Sequence, residues 1–276
     1  MEIKAVDVKK LHNKVGAGLM DCKKALVEAK GDHAEAEKIL KKKGMVKAEK
    51  KSNRETLEGC VCYVIDKAGQ SAGMIEAACQ TDFVANNPVF KSMAESFAGG
   101  VMNSQLSDAT TFTDVTIDGQ TVEEMRQEAV LKLGENIRLV RGTSLQTDGH
   151  IYGYSHGNKI AVLVALESSD EQLGKDIAMH IAALNPAAVT ENDIPAAVLN
   201  EERSLYLEQL QDSKKPEEIK NKIIDGKLKK FASGLCLYGQ AFVKDPKETI
   251  EELLKNKNNH VKNFVRFELG ETSEAD

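Results

Sequence analysis

The side chains best suited to covalent chemistry in this chain are its five cysteines and six histidines. Cys79 ends an apolar run and His156 stands beside a Gly-Asn turn, so the two could form a nucleophile and base pair if their hairpins face each other. A cysteine that ends an apolar strand is more typical of core packing than of catalysis. The sequence therefore favours a packing role for Cys79 and leaves a thiol-dependent enzyme as an alternative function.

Metal or nucleotide binding is a second kind of chemistry, and the sequence gives it little support. Cys60 and Cys62 form a C-x-C motif on an alternating strand pattern, so both side chains point to one face of a sheet. A zinc site would need a second Cys or His pair at suitable spacing, and the sequence has none. It also has neither a G-x-x-x-x-G-K-[ST] phosphate loop nor a strand-bound G-x-G-x-x-G. We expect no metal and no cofactor.

The stretch CQTDFVANN, residues 79–87, places an aromatic side chain where a strand should give way to a polar turn. The run SAGMIEAA before it predicts a strand in a buried sheet, and Asp82, Phe83 and Val84 follow almost at once. Aromatic residues are scarce here, with eight Phe, five Tyr and no Trp. An exposed aromatic side chain is a typical anchor of a protein interface. These residues therefore favour an interaction protein, without indicating its partner.

Composition excludes several classes of protein. Hydrophobic residues make up 41% and charged residues 29% of the chain, which predicts a folded, soluble protein. Scattered cysteines, no secretory pattern in MEIKAVDVKKL and no apolar run of about 18 residues predict a cytoplasmic protein without a membrane partner. A net charge of −6 argues against direct nucleic-acid binding. The basic segment from Lys41 to Arg54 keeps an RNA-binding translation protein as an alternative, although no aromatic residue interleaves there.

The elements that must position these residues begin with a three-helix module in residues 1–44. Apolar residues recur at helical spacing, and the sequence GAG breaks the pattern after the first helix. Asp32 is placed to cap the third helix, and Gly44 is placed to end it. The basic residues 45–56 would then form a linker.

The middle of the chain contains two segments that each predict a β-hairpin followed by a helix, one from Gly59 and one from Gly149. We therefore expect an α+β fold with two related sheet subdomains, formed by residues 57–142 and by residues 143–190 with 232–270. The two segments differ after the second strand, where QTDFVANN in the first corresponds to ESSDEQ in the second. This difference indicates a special role for the first loop.

Residues 191–231 predict an inserted antiparallel helical hairpin, because two helical patterns flank the turn DSKKP. Pro216 suits the start of the second helix. After it, SGLCLYGQAFV predicts a strand, DPKETIEELL a capped helix and VKNFVRFEL a last strand. Residues 271–276 form an acidic tail.

Seven stretches, in this order, resemble the bacterial elongation factor Ts family. They are VGAGLMDCKKALVEAKGD, CQTDFVANN, GENI, HGNKIAVLV, DIAMHIAALNP, GQAFVKD and FVRFELGE, and they extend over nearly the whole chain. Members of that family are guanine-nucleotide exchange factors of elongation factor Tu. The resemblance implies that the N-terminal module is like a ubiquitin-associated domain. It also implies a protein that acts through contact with its partner and has no catalytic residues.

The resemblance also implies which residues meet elongation factor Tu. In that family the Thr-Asp-Phe-Val segment contacts the G domain, the Phe inserts between two of its helices, and the Mg²⁺ site is disturbed so that GDP leaves. The corresponding residues here are Thr81, Asp82, Phe83 and Val84. Further contacts are expected from the N-terminal module and from the second hairpin, at Val15, Gly16, Leu19, Met20, His156 and Gly157.

Two parts of the chain have no assigned contact. Members of the family often continue past FVRFELGE with a further helix that packs on the partner, and we expect that contact to be absent or replaced here. The helical hairpin of residues 191–231 could serve self-association into a homodimer or a second partner.

Overall fold

The computed structural model describes residues 3–106, 112–211, 213 and 215–271, and the chain is an α+β protein. Its helices are α1 (Ala5–Val15), α2 (Leu19–Glu28), α3 (His33–Lys51), α4 (Asp82–Ala85), α5 (Pro88–Ser104), α6 (Val122–Leu133), α7 (Glu171–Leu184), α8 (Ala196–Gln209), α9 (Glu217–Leu235) and α10 (Ile250–Asn256). Its strands are β1 (Glu58–Ile65), β2 (Ser71–Cys79), β3 (Thr116–Ile117), β4 (Gln120–Thr121), β5 (Ile137–Gln146), β6 (His150–His156), β7 (Ile160–Leu166) and β8 (Val261–Glu268). None of the helices in the described residues combines the length and apolar character needed to cross a bilayer. Except for Glu271, the predicted acidic tail lies outside the described residues.

Two antiparallel three-stranded sheets form the centre of the molecule, in the orders β1-β2-β5 and β6-β7-β8. Their inner faces share one apolar cluster that includes Met74, Leu163 and Phe267. The outer face of the first sheet is covered by α5, and the outer face of the second by α7 and α10. The core is therefore layered as helix, sheet, sheet and helix.

The central strands β2 and β7 are buried on both faces, which explains their continuous apolar sequences. This confirms the prediction that SAGMIEAA forms a buried strand. Gly73 in β2 allows α5 to approach closely, because a Cβ at this position would lie 2.1 Å from the carbonyl oxygen of Ala98. Gly73 is thus required by the packing of α5 on β2.

Helices α1, α2 and α3 pack around their own apolar cluster, as the spacing of residues predicts. Asp32 caps α3 as predicted, since its Oδ1 accepts hydrogen bonds from the backbone N–H groups of Ala34 and Glu35 at 2.8 and 3.1 Å. The prediction that α3 ends at Gly44 is wrong, because the helix continues to Lys51. Gly44 instead allows close packing on α6, where a Cβ would lie 3.2 Å from the carbonyl oxygen of Gln127.

The three-helix module is fixed to the first sheet subdomain through contacts between α3 and α6. Leu131 of α6 belongs to the apolar cluster of the module. Lys41 Nζ lies 2.7 Å from Glu124 Oε1, and Lys51 donates a hydrogen bond to the carbonyl oxygen of Gly134. Two side chains of the basic segment, Lys41 and Lys51, are therefore used in docking within the chain.

Helices α8 and α9 form the predicted antiparallel hairpin, and Ile194 with Ala232 and Cys236 packs at its base. The prediction of a strand in SGLCLYGQAFV is wrong. Helix α9 continues to Leu235, and the residues after it make only isolated bridges, Ala188 with Cys236 and Ala241 with Thr249. Ala232, which lies beyond the predicted end of the helix, packs at the base of the hairpin. The capped helix α10 and the last strand β8 are confirmed.

Candidate functional site

The one-turn helix α4 follows β2 after two intervening residues and presents the sequence DFVA. Thr81 is its N-cap, and the Thr81 hydroxyl accepts a hydrogen bond from the Val84 N–H at 3.4 Å. The Asn86 N–H donates to the Asp82 carbonyl at 2.9 Å, which closes the turn. Val84 and Ala85 are buried in the cluster between the first sheet and α5. This inward anchoring leaves Asp82 and Phe83 on the outer side of the turn.

Phe83 is 83% exposed, more than any other large hydrophobic residue in the described part of the chain. Burying a Phe side chain against a partner is worth about 1.5–3 kcal/mol. The neighbouring Asp82 is also exposed and offers a carboxylate beside the ring. An apolar anchor next to a hydrogen-bond acceptor is suited to insertion into another protein.

Two residues that the sequence reasoning did not assign, Glu135 and Asn136, support this turn. The Glu135 carboxylate accepts two hydrogen bonds from Thr81, one from its backbone N–H at 3.0 Å and one from its hydroxyl at 2.6 Å. The Asn136 backbone N–H donates to Gln80 Oε1 at 2.9 Å. Both residues belong to the GENI stretch between α6 and β5. Its glycine, Gly134, indicates a turn in the sequence, but nothing local indicates that the turn contacts Thr81.

The turn between β6 and β7 lies beside α4 and carries His156 and Gly157. Gly157 has a φ of +59°, a left-handed conformation that favours glycine. The Asn158 carbonyl accepts a hydrogen bond from the Val61 N–H at 2.8 Å, and the Asn158 side chain lies 3.5 Å from Asn86 Oδ1 at the end of α4. The fold therefore brings the exposed turn of the second sheet close to the segment that carries Phe83.

His156 also lines a surface groove of about 510 Å³ on the second sheet. Its other walls include Tyr154, Met179 and Val243. Val243 is an exposed apolar side chain that the sequence pattern did not single out. This groove extends the candidate surface beyond the predicted pair of residues.

In the N-terminal module the predicted residues lie on two different sides. Leu19 and Met20 are exposed to 53% and 67% and line a groove of about 560 Å³ between α1 and α2. Val15 lines a separate crevice that reaches α6, and a Cβ on Gly16 would meet the Lys132 side chain. Leu19 and Met20 are therefore available to a partner, whereas Val15 and Gly16 face the rest of the chain.

The cysteines are in environments that disfavour reactive thiolates. Burial raises the pKa of Cys60, Cys62 and Cys79 to about 12 each. The Cys79 thiol donates to the Thr81 carbonyl at 3.3 Å and so belongs to the support of the turn. Among the described residues, no group of three or more His, Cys, Asp or Glu side chains is placed to hold a metal ion. A thiolate nucleophile requires the opposite shift of the pKa.

Comparison with known proteins agrees with the resemblance seen in the sequence. A family model described as Elongation factor TS matches residues 80–271, a range that includes Thr81, Phe83 and Glu135. The chain is 43% identical over 274 residues to Elongation factor Ts of Halorhodospira halophila, covering 99% of this chain and 94% of that protein. It is 42% identical over 277 residues to Elongation factor Ts of Hydrogenovibrio crunogenus, covering 100% of this chain and 94% of that protein. The chain therefore belongs to the elongation factor Ts family of translation elongation factors.

Proposed function

We propose that this protein binds elongation factor Tu in its GDP-bound form and accelerates the release of GDP, so that GTP can bind. It acts in the cytoplasm through protein contact and not as an enzyme. Family membership supports the partner, and the observation that carries the proposal is the exposure of Phe83 on a turn anchored by Val84. An apolar side chain held away from the core in this way is ready to enter a partner without rearrangement.

The expected mechanism is displacement of a helix in the partner rather than contact with the nucleotide. Phe83 enters between two helices of the G domain, and Thr81, Asp82 and Val84 make the surrounding contacts. Mg²⁺ requires near-ideal octahedral geometry and is held by few protein ligands together with water and phosphate oxygens. A small shift of a helix beside the ion therefore weakens its binding. The diphosphate then loses part of its charge compensation, and GDP dissociates faster.

Energetics require more contacts than Phe83 alone. Any factor by which this protein lowers the affinity for GDP must equally lower its own affinity for the GDP complex. A thousandfold effect requires about 4 kcal/mol of differential contact, whereas one buried Phe side chain supplies about 1.5–3 kcal/mol. We assign the remaining contact free energy to the groove lined by Leu19 and Met20 and to the turn that carries His156 and Gly157.

The function is tested by following a fluorescent GDP analogue as it leaves purified elongation factor Tu. A substoichiometric amount of this protein is expected to accelerate release, because it dissociates after each exchange. When EDTA removes Mg²⁺, spontaneous release is already fast, so the additional acceleration should be smaller than in the presence of Mg²⁺. No acceleration in Mg²⁺ would contradict the proposed function, and an equal acceleration with and without Mg²⁺ would contradict the mechanism.

A further inference from the structure

The loop Gly134–Asn136, which we call the junction loop, connects α6 to β5 and contacts two distant parts of the chain. On one side Glu135 and Asn136 hold Gln80 and Thr81, the residues that precede α4. On the other side the loop is hydrogen-bonded to the end of α3, the last helix of the N-terminal module, and to the residues just after it. Three consecutive residues thus contact both regions that are expected to meet the partner.

Asn136 makes the junction loop a fixed support. The residue is 1% exposed, and its Nδ2 donates to the carbonyl oxygens of Ser52 at 3.2 Å and Arg54 at 2.9 Å. Lys51 donates to the Gly134 carbonyl in the same place. Glu135 is therefore attached to a loop that is held by hydrogen bonds on both sides and by the buried Asn136, unlike a carboxylate on a freely moving surface side chain.

The contact between Glu135 and Thr81 fixes orientation as well as position. Both carboxylate oxygens are used, one by the Thr81 hydroxyl and one by its backbone N–H. Hydrogen bonds to an ionised group are stronger than neutral ones, and two parallel bonds restrict rotation. A helix of four residues has little stability of its own. The orientation of its N-cap, together with the buried Val84, therefore sets the direction in which Phe83 points.

We infer that Glu135 is a positioning residue for nucleotide exchange, which orients Phe83 through Thr81 without itself touching the partner. This inference rests on the proposed function and extends it to a residue 52 positions away from Phe83 in the chain. Without the carboxylate, α4 would adopt several orientations, and ordering it on docking would cost part of the contact energy. Loss of two charge-assisted hydrogen bonds is expected to lower the maximal rate of GDP release about tenfold.

The test compares Glu135→Ala in two backgrounds, the otherwise wild-type protein and Phe83→Ala. Maximal GDP release at saturating protein is measured together with the concentration that gives half of it. Glu135→Ala is expected to reduce the maximal rate about tenfold in the first background and by less than about twofold in the second, because it acts through Phe83. Glu135→Gln keeps one acceptor oxygen and should be intermediate. Glu95→Ala removes an exposed carboxylate from α5 and serves as the control, with no expected change.

Equal slowing by Glu135→Ala in both backgrounds would overturn the inference, because a purely structural defect does not depend on Phe83. No slowing by Glu135→Ala, with Phe83→Ala still slow, would overturn the inference and leave the proposed function intact. No acceleration by the wild-type protein would overturn both. If Glu135→Ala does not fold, Glu135→Gln takes its place in both backgrounds, and its smaller loss of rate is expected to show the same dependence on Phe83.

Discussion

Phe83 and Val84 are adjacent residues with opposite environments, and this contrast is the basis of the candidate site. Val84 is buried against the first sheet, whereas Phe83 is almost fully exposed. Consecutive residues of a helix point about 100° apart, so a single turn that faces the core with Val84 and Ala85 leaves Phe83 on its outer side. Burial of Val84 and Ala85 therefore keeps Phe83 exposed, and the chain presents an apolar side chain without weakening its own core.

His180 is a buried residue outside the candidate site whose protonation should influence stability. Its Nε2 lies 3.0 Å from Gln240 Oε1, and its Nδ1 lies 3.2 Å from the Val243 backbone nitrogen. The Val243 N–H can donate only to an unprotonated nitrogen, so the arrangement fits the neutral imidazole. Burial lowers the pKa of His180 below its ordinary value of 6.5.

We expect the free energy of unfolding to fall as the pH decreases below about 6.5, because the unfolded chain then binds a proton at His180 and the folded protein does not. One proton gives a limiting slope of about 1.4 kcal/mol per pH unit. Above pH 6.5 this contribution is fully present. Denaturant unfolding at pH 7.5 and 5.5 measures the change, and His180→Asn should make it smaller. An equal change in the variant would contradict this assignment.

At the scale of elements, contacts between helices and strands decide where the glycines are needed. Gly73 in β2 faces the backbone of α5, whereas Gly99 in α5 has no atom within 4 Å of the position of a Cβ. The first glycine permits close packing. The second has no packing role and only increases the conformational freedom that the chain loses on folding.

The two glycines should therefore respond oppositely to replacement by alanine. Gly73→Ala forces β2 away from α5 and should lower the free energy of unfolding by about 1–3 kcal/mol. Gly99→Ala should raise it by about 0.5–1 kcal/mol, because alanine favours helix. Chemical denaturation of the two variants measures both changes. Destabilisation by Gly99→Ala as large as that by Gly73→Ala would show that the helix–strand contact is not the cause.

The elements that could be predicted from the sequence are those set by local patterns. Apolar runs identify β2 and β7, and Asp32 identifies the start of α3. Helix α4 could not be predicted, because its four residues are too few for a period and its support, Glu135, is distant in the chain. The prediction that α3 ends at Gly44 was wrong for a related reason. A glycine suited to ending a helix is used there for contact with α6, which no local pattern reveals.

At the scale of the whole molecule, a buried ion pair within the first sheet also contacts the second sheet. Glu76 of β2 is 1% exposed, and its Oε2 lies 2.7 Å from Arg141 Nε of β5. Its Oε1 accepts a hydrogen bond from the Gly270 N–H after β8 at 2.8 Å. The Arg141 guanidinium lies 4.1 Å from the ring centroid of Phe267 in β8. These contacts fix the second sheet, with its His156 turn, relative to the sheet that carries α4.

Removing only one partner of this ion pair should strongly destabilise the protein. Arg141→Met leaves the Glu76 carboxylate buried without its partner, and we expect a loss of about 3–5 kcal/mol in the free energy of unfolding. The double variant with Glu76→Gln removes both charges and should recover a large part of that loss. Denaturant unfolding of the three proteins gives the values. A loss below about 0.5 kcal/mol in Arg141→Met would contradict a structural role for the pair.

The central claim is that Phe83 drives GDP release, and stopped-flow measurement with Phe83→Ala tests it most directly. Release of a fluorescent GDP analogue from elongation factor Tu is followed with saturating wild-type protein, with Phe83→Ala and with Leu207→Ala, an exposed apolar change on α8. We predict that Phe83→Ala lowers the maximal rate at least about tenfold, equivalent to about 1.4 kcal/mol, while Leu207→Ala behaves as wild type. Equal maximal rates for wild type and Phe83→Ala would contradict the claim.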